Sequence, residues 1–161
     1  RLPPSRRRRL RLAYLFGRAG LSPQAAASAL RKRRWGTGEA HGVSRLLALA
    51  RAAGRIDPGG DGIWWWTLEA GDLAPDALRL SEALDPRSRA RIRRLLRRLS
   101  RRGIPPDVKG ADVLEWVGIG PGREVGRLLD AVRIEALAGR VRTRGQARKW
   151  LRAQRPDLSA S

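Results

Sequence analysis

A glycine-rich turn between two apolar stretches, near the C-terminal end, constrains the fold of this chain most. Residues 111–117 contain no helix breaker, and Gly118 is suited to end a helix because glycine adopts the left-handed conformation without steric cost. Pro121 then suits a first helical position. Apolar side chains follow at the spacing of one helix face, at Val125, Leu128, Leu129 and Val132. The pattern predicts two helices joined by the segment GIGPG, residues 118–122.

A third helix is predicted directly after this pair. Gly139 is placed to end the second helix, and Thr143 with Gln146 three residues later forms a capping-box pattern. Trp150 and Leu151 give the last helix an apolar side. The sequence therefore predicts a C-terminal three-helix unit, which we place at 107–161.

The glycine-rich turn also suggests a chemical role. The first amides of a helix have no partner within the helix and carry the positive end of its dipole, so a phosphate can bind them. Gly120, Gly122 and Arg123 would present such amides, and the side chains of Lys109, Arg123 and Arg127 would add positive charge. These five residues are candidate nucleic-acid-binding residues. The alternative is that the glycines only permit a tight turn.

Residues 1–56 are predicted to form a separate helical region. A basic run leads into an apolar stretch that ends at Phe16, and Ser22 is an N-cap followed by proline at the first helical position. Apolar residues between 39 and 53 again recur on one helix face. His41, the one histidine, is interpreted as an ordinary surface residue rather than as a site.

An aromatic residue in this region stands beside a cluster of cations. Trp35 follows four consecutive basic residues, which end with Arg33 and Arg34. An indole can stack on a nucleobase while neighbouring cations contact the phosphates. We therefore select Arg33, Arg34 and Trp35 as candidate RNA contacts.

The middle segment, 57–106, begins with a turn and continues with tryptophans. Residues 57–62 are rich in Asp, Gly and Pro, which favour tight reversals. Three consecutive tryptophans, 64–66, cannot all face one core on a helix because successive side chains point about 100° apart. At least one indole should be exposed or at an interface.

An arginine-rich helix is predicted between Pro86 and Gly103. Its buried stripe consists of Ile92, Leu95, Leu96 and Leu99. The same segment holds nine arginines and no carboxylate. That density exceeds the usual solvated face and predicts a surface that binds a nucleic-acid backbone. The candidate residues are Arg94, Arg97, Arg98 and Arg101.

The overall charge favours a polyanionic partner. The chain has 35 Lys and Arg against 15 Asp and Glu, a formal charge of +20, and phosphates reward such a surface through counterion release. Codon bias of a GC-rich genome is a second source of arginine. There is no cysteine, no apolar run long enough to cross a bilayer and no signal-peptide core. The sequence predicts a soluble, cytoplasmic protein without disulfides.

The C-terminal stretch resembles a known family. The stretch reads KGADVLEWVGIGPGREVGRLLDAV, then LAGRVRT and a predicted helix that ends in Trp150-Leu151. This order of motifs is similar to the tail of the tRNA nucleotidyltransferase and poly(A) polymerase family. The family pattern is close to GKDLxxLGIxPGPxxGxxLxxL followed by LxGxVxTxxxAxxWL. The likeness covers about the last third of the chain. The likeness departs at Ala111, where the family favours Lys. It also departs at Gly120, where the family favours Lys or Pro, and at Arg123, where it favours Pro.

This resemblance implies a tRNA-binding helical body and tail. In the family, the catalytic carboxylates, which use Mg²⁺ with CTP or ATP to add CCA to the tRNA 3′ end, lie in N-terminal domains. No catalytic, metal-binding or cofactor-binding residue can be carried over to this chain. Because the sequence begins at Arg1 and lacks methionine, we expect a fragment whose catalytic domain is missing.

The N-terminal region is loosely similar to the middle region of the same family. Where many members have a His-Asp pair, this chain has Gly17-Arg18, so the hydrolase activity of such regions is not expected here. Two alternatives to the tRNA-binding interpretation stay open. One is a helix-hairpin-helix module for duplex DNA, built on residues 109–132. The other is a non-catalytic protein-interaction domain whose charge reflects genome composition.

Overall fold

The computed structural model describes residues 3–154, and this part of the chain is all-helical, without strands. The all-α prediction is therefore confirmed. The chain divides into two compact units, residues 1–100 and 101–161. This division differs from the three predicted segments. The 57–62 turn lies within the first unit, and the second unit starts at residue 101 rather than at 107.

The first unit contains six α-helices, which are connected by short turns. They are α1 (Pro4–Arg18), α2 (Pro23–Lys32), α3 (Thr37–Ala53), α4 (Gly62–Ala70), α5 (Ala74–Leu84) and α6 (Arg89–Ser100). As predicted, the Ser22 side chain caps α2 by accepting a hydrogen bond from the Ala25 amide. Of the three tryptophans in α4, Trp65 is half exposed, whereas Trp64 and Trp66 are buried. The expectation that one indole would be exposed is confirmed.

Helix α3 forms the centre of the first unit and packs against α1, α2 and α5. Its apolar face, which includes Val43, Leu46 and Leu47, is fully buried. Helix α5 in turn contacts α6, whose Ile92 and Leu95 are buried. The helical periodicity of the sequence thus identified the buried faces, and burial of these side chains supplies the main stabilisation.

One carboxylate lies inside this otherwise apolar packing. Asp76, on α5, is only 1% exposed, and Arg6 of α1 donates its Nε to the Asp76 carboxylate at 2.5 Å. This hydrogen bond raises the pKa of the Arg6 guanidinium. A buried charge requires such a partner, so the pair fixes α1 against α5.

The second unit contains the predicted three-helix arrangement. A short helix, α7 (Gly110–Val113), widens into a π-helical turn over Leu114–Gly118. The long helix α8 (Arg123–Leu137) and then α9 (Arg144–Ala153) follow. The core of this unit consists of Val108, Val113, Val117, Leu128, Val132, Ala136, Val141, Ala147 and Leu151.

A polar network holds the ends of α7 and α9 together. The buried carboxylate of Asp112 accepts a hydrogen bond from the Lys109 amide at 2.8 Å and a short one from the Arg144 guanidinium. The same guanidinium lies over the Trp116 ring at 5.3 Å. Thr143 caps α9 through the Gln146 amide, as predicted. Arg144 therefore has a structural role that its sequence position did not indicate.

Three helix ends differ from the sequence prediction. The arginine-rich helix starts with a 3₁₀ turn at Pro86–Ser88 and ends at Ser100, before the predicted Gly103. Helix α8 begins at Arg123, not at Pro121, because Gly122 takes the N-cap position. Gly118 does end the preceding helix with a positive φ of 74°.

Gly103 has a packing role instead of ending a helix. Its amide donates to the Leu137 carbonyl at 3.0 Å, near the end of α8. A Cβ atom at this position would lie 2.1 Å from the Ala136 carbonyl oxygen, so the backbones approach too closely for any side chain.

Gly103→Ala is therefore expected to destabilise the second unit by about 2 kcal/mol or more, since backbone rather than a flexible side chain must move. Hydrogen exchange of the α8 amides in the whole chain measures this effect. Gly120→Ala is the control, because a Cβ there meets nothing within 4 Å. Equal protection of α8 in both variants would show that this close approach is not a constraint.

Candidate nucleic-acid interface

Helix α6 separates its apolar and basic side chains. Ile92, Leu95 and Leu99 are buried in the first unit, and the arginines occupy the rest of the circumference. These arginines differ in what their guanidinium groups contact. Some are paired with a carboxylate, one is bound to a loop, and the others have no acidic partner in the described part of the chain.

Arg89 and Arg93 belong to the paired group. Both guanidinium groups approach one carboxylate oxygen of Glu82 on α5, at 3.3 and 3.4 Å. Glu82 thus offsets part of the repulsion along α6. The sequence showed no acid within α6, and this counter-charge comes from a neighbouring helix.

Arg98, a predicted site residue, is directed inward to the 57–62 loop. Its guanidinium donates to the carbonyls of Pro58 and Gly60 at 2.6 and 2.7 Å. It also lies over the Trp64 ring at 5.0 Å. These contacts give Arg98 a structural role, in contrast to the predicted phosphate contact.

Arg87, Arg91 and Arg94 lie on one side of α6 and its preceding turn, at the helical spacing i, i+4 and i+7. None of the three side chains forms an ion pair with a described residue. Together with Asp85, Ser88 and Ala90 they line a concavity of about 300 Å³. Arg91 additionally has a buried Nε without an acceptor among the described residues. The arrangement concentrates positive charge in a recess, where it acts on an anion more strongly than on a flat surface.

A second concavity, of about 460 Å³, shares Asp85 with the first one. It is lined by Gly17, Ala50, Arg51, Gly54, Arg55, Ser81, Leu84 and Asp85. Ser81, on α5, is only 5% exposed. Asp85 is a lining residue of both concavities. We call the two together the Asp85 trough.

The remaining predicted residues of the first unit are dispersed. Arg97 is exposed and has no acidic partner within residues 3–154. Arg33 and Arg34 are also exposed, at the end of α2, and Arg34 has a positive φ of 59°. Trp35 is partly buried, and the Arg8 guanidinium lies over its ring at 5.2 Å while pairing with Glu39. Arg8 thus already makes the cation–π contact with this indole.

The predicted residues of the second unit fall around the glycine-rich turn. Gly120, Gly122 and Arg123 are exposed, and neither glycine has a neighbour that a Cβ would meet. Arg127 is paired with Glu124 in the first turn of α8 at 2.6 Å, which raises the pKa of Arg127. That carboxylate lowers the attraction of this helix end for a phosphate.

Two other predicted cations also belong to this unit. Lys109 is exposed, and its ammonium lies 4.0 Å from the Asp107 carboxylate. Arg101 is exposed and follows the end of α6. Of the three predicted cations beside the turn, Lys109 and Arg127 each lie near a carboxylate. Arg123 has no acidic partner among the described residues.

No metal centre is found among residues 3–154, since no three His, Asp or Glu side chains lie together there as ligands. None of these residues is assigned to the Mg²⁺ or the nucleotides that the resemblance implies for a parent enzyme. Gly17 packs closely against Leu84, and a Cβ would lie 2.6 Å from that side chain. A larger residue would not fit there without repacking.

Sequence reasoning missed half of the Asp85 trough. Arg51 and Arg55 are on α3 and the turn after it, more than 30 residues from α6, and only the packing of α3 against α5 brings them near Asp85. Arg51 also donates to the Leu21 carbonyl at 2.7 Å. Arg87 and Arg91 were within the recognised arginine run, but the sequence did not distinguish them from the paired Arg89 and Arg93.

Comparison of the chain with protein-family profiles, with curated proteins and with solved structures finds no match. Among the described residues, no helix combines the length and the apolar character that crossing a membrane requires.

The neighbouring residues Arg97 and Arg98 provide a direct test of the structural role of Arg98 at the 57–62 loop. Arg98→Ala removes two hydrogen bonds from a charged donor and is expected to lower the free energy of unfolding by about 1.5–3 kcal/mol. Arg97→Ala removes the same charge from an exposed position and should change the free energy of unfolding by less than about 0.5 kcal/mol. Urea unfolding of both variants measures the difference. Equal stability of the two variants would contradict the structural role of Arg98.

Proposed function

We propose that this chain binds tRNA, and that it is the tRNA-holding helical part of an enzyme of the tRNA nucleotidyltransferase and poly(A) polymerase type. Its role would be to hold the tRNA during CCA addition to the 3′ end, while a separate catalytic domain performs the nucleotide transfer. The proposal places this role in the cytoplasm. The observation that carries RNA binding is the group of α6 arginines without acidic partners that lines the Asp85 trough.

Three properties support a backbone-binding mode. The charge of +20 attracts any polyanion. The guanidinium groups of Arg87, Arg91 and Arg94 are geometrically suited to phosphate oxygens, which they can bind through two parallel hydrogen bonds. Arg91 and Arg94 lie on the packed helix α6, and Arg87 lies in the 3₁₀ turn directly before it. Such contacts recognise the shape of a folded RNA and carry little information about base sequence.

The restriction to tRNA depends on the resemblance of the C-terminal stretch. In the structure, the short helix α7, the GIGPG segment and α8 form two helices joined by a turn. The proposal takes this arrangement as compatible with the family pattern. In this proposal, Arg123 and the exposed amides near Gly120 and Gly122 provide a second, weaker phosphate contact. Arg33 and Arg34 provide a third, and Trp35 beside them stacks on a nucleobase.

A binding measurement at two salt concentrations tests the proposal. The ligands are tRNA, duplex DNA with an equal number of phosphates, and a scrambled single-stranded RNA. We expect tRNA to retain an advantage at the higher salt concentration, because bulk attraction decreases steeply with salt for all three. Preference for duplex DNA would instead favour the helix-hairpin-helix module. An equal loss for all three ligands would indicate generic charge and reject the proposal.

Two matched double variants locate the contact on α6 and the turn before it. Arg87→Gln with Arg94→Gln removes two exposed arginines that lack an acidic partner. Arg89→Gln with Arg93→Gln removes two exposed arginines that are paired with Glu82. Both proteins lose the same net charge. The first variant is expected to reduce the slope of log affinity against log salt by about 2, and the second by much less.

Circular dichroism and urea unfolding control for loss of structure in these two variants. If both reduce tRNA binding equally, net charge and not the Asp85 trough determines affinity, and the assignment of the interface to this side of α6 is wrong.

A further inference from the structure

An acidic residue lines the basic Asp85 trough of the first unit. Asp85 lines both concavities of the trough, together with Arg51 and Arg55 on one side and Arg87, Arg91 and Arg94 on the other. Of these arginines, Arg51 is already bound to the Leu21 carbonyl, and the other four have no internal acceptor among the described residues. A carboxylate repels phosphates, so its presence among these arginines weakens a site that only binds a phosphate backbone. A ligand that carries both phosphates and hydrogen-bond donors would use both kinds of group.

The carboxylate has free acceptor capacity. Asp85 is exposed, and its Oδ1 accepts one hydrogen bond, from the Arg87 amide at 3.1 Å. Its Oδ2 has no partner among the described residues, and an ionised carboxylate can accept about four hydrogen bonds. Ser81 also lines the larger concavity and adds a second polar residue to its wall.

From this arrangement, and resting on the proposed function, we propose that Asp85 is the residue by which the chain distinguishes RNA from DNA. The arginines on the two sides bind successive backbone phosphates, and the Asp85 carboxylate accepts a hydrogen bond from a ribose 2′-hydroxyl between them. The 2′-hydroxyl is the group that separates the two nucleic acids chemically. With DNA, the carboxylate would face the backbone without a donor and would act only as a repulsive charge.

The capping role of Asp85 can be kept while its charge is removed. Asparagine is as good an N-cap as aspartate, so Asp85→Asn should retain the turn before α6 and the stability of the unit. Asp72→Asn is the control, because it removes an equal charge from an exposed position that lines neither concavity.

The experiment measures the affinities of the whole chain for three hairpins of one sequence, made of RNA, of DNA and of 2′-O-methyl RNA. For the unmodified chain, we expect RNA to bind about tenfold more tightly than either of the others, the effect of one hydrogen bond to a charged acceptor. The 2′-O-methyl hairpin keeps the RNA helix shape but lacks the donor. In Asp85→Asn, DNA should bind more tightly and the preference for RNA should largely disappear.

Two results would overturn the inference and leave the proposed function intact. The first is a 2′-O-methyl hairpin that binds as well as RNA, because the preference then comes from helix shape. The second is a failure of the variant comparison, in which Asp85→Asn keeps the preference or behaves no differently from Asp72→Asn. If the unmodified chain binds none of the three hairpins and no tRNA, the proposed function fails, and this inference fails with it.

Discussion

Mutual repulsion among arginines is the constraint on which this structure depends. A chain of charge +20 must bring helices together, and each contact between helices also brings their cations closer. Acidic residues are too few to neutralise them, so the position of each one matters. Asp76 holds Arg6 between α1 and α5, Glu82 serves two arginines of α6, and Asp112 holds Arg144 in the second unit.

The same scarcity determines which arginines remain available for a partner. An arginine that finds a carboxylate or a loop carbonyl contributes to the fold, as Arg98 does with Pro58 and Gly60. An arginine without such a partner retains its full charge and its directional donors. The candidate interface is therefore defined less by the number of arginines on α6 than by the subset without an internal acceptor.

The helical architecture could be predicted from the sequence because its signals are local. Periodic apolar residues, the caps at Ser22 and Thr143 and the left-handed Gly118 each act within one or two turns of helix. The site could be predicted only in part. Arg94 was recognised from the arginine run, but the pairing of Glu82 with Arg89 and the approach of Arg55 to Asp85 depend on contacts between helices. No local pattern encodes such contacts, and this also explains why the role of Gly103 was misjudged.

Asp85 shows how one local residue acquires a second role through packing. In the sequence it is an N-cap before proline, and the hydrogen bond to the Arg87 amide fulfils that role. A serine or threonine would also cap at this position and would avoid a negative charge among arginines. The carboxylate lowers attraction for phosphates in general, and in the proposed complex a hydrogen-bond donor of the ligand offsets that repulsion. A cap that also accepts a ribose hydroxyl would combine stability of α6 with selectivity for RNA at a single position.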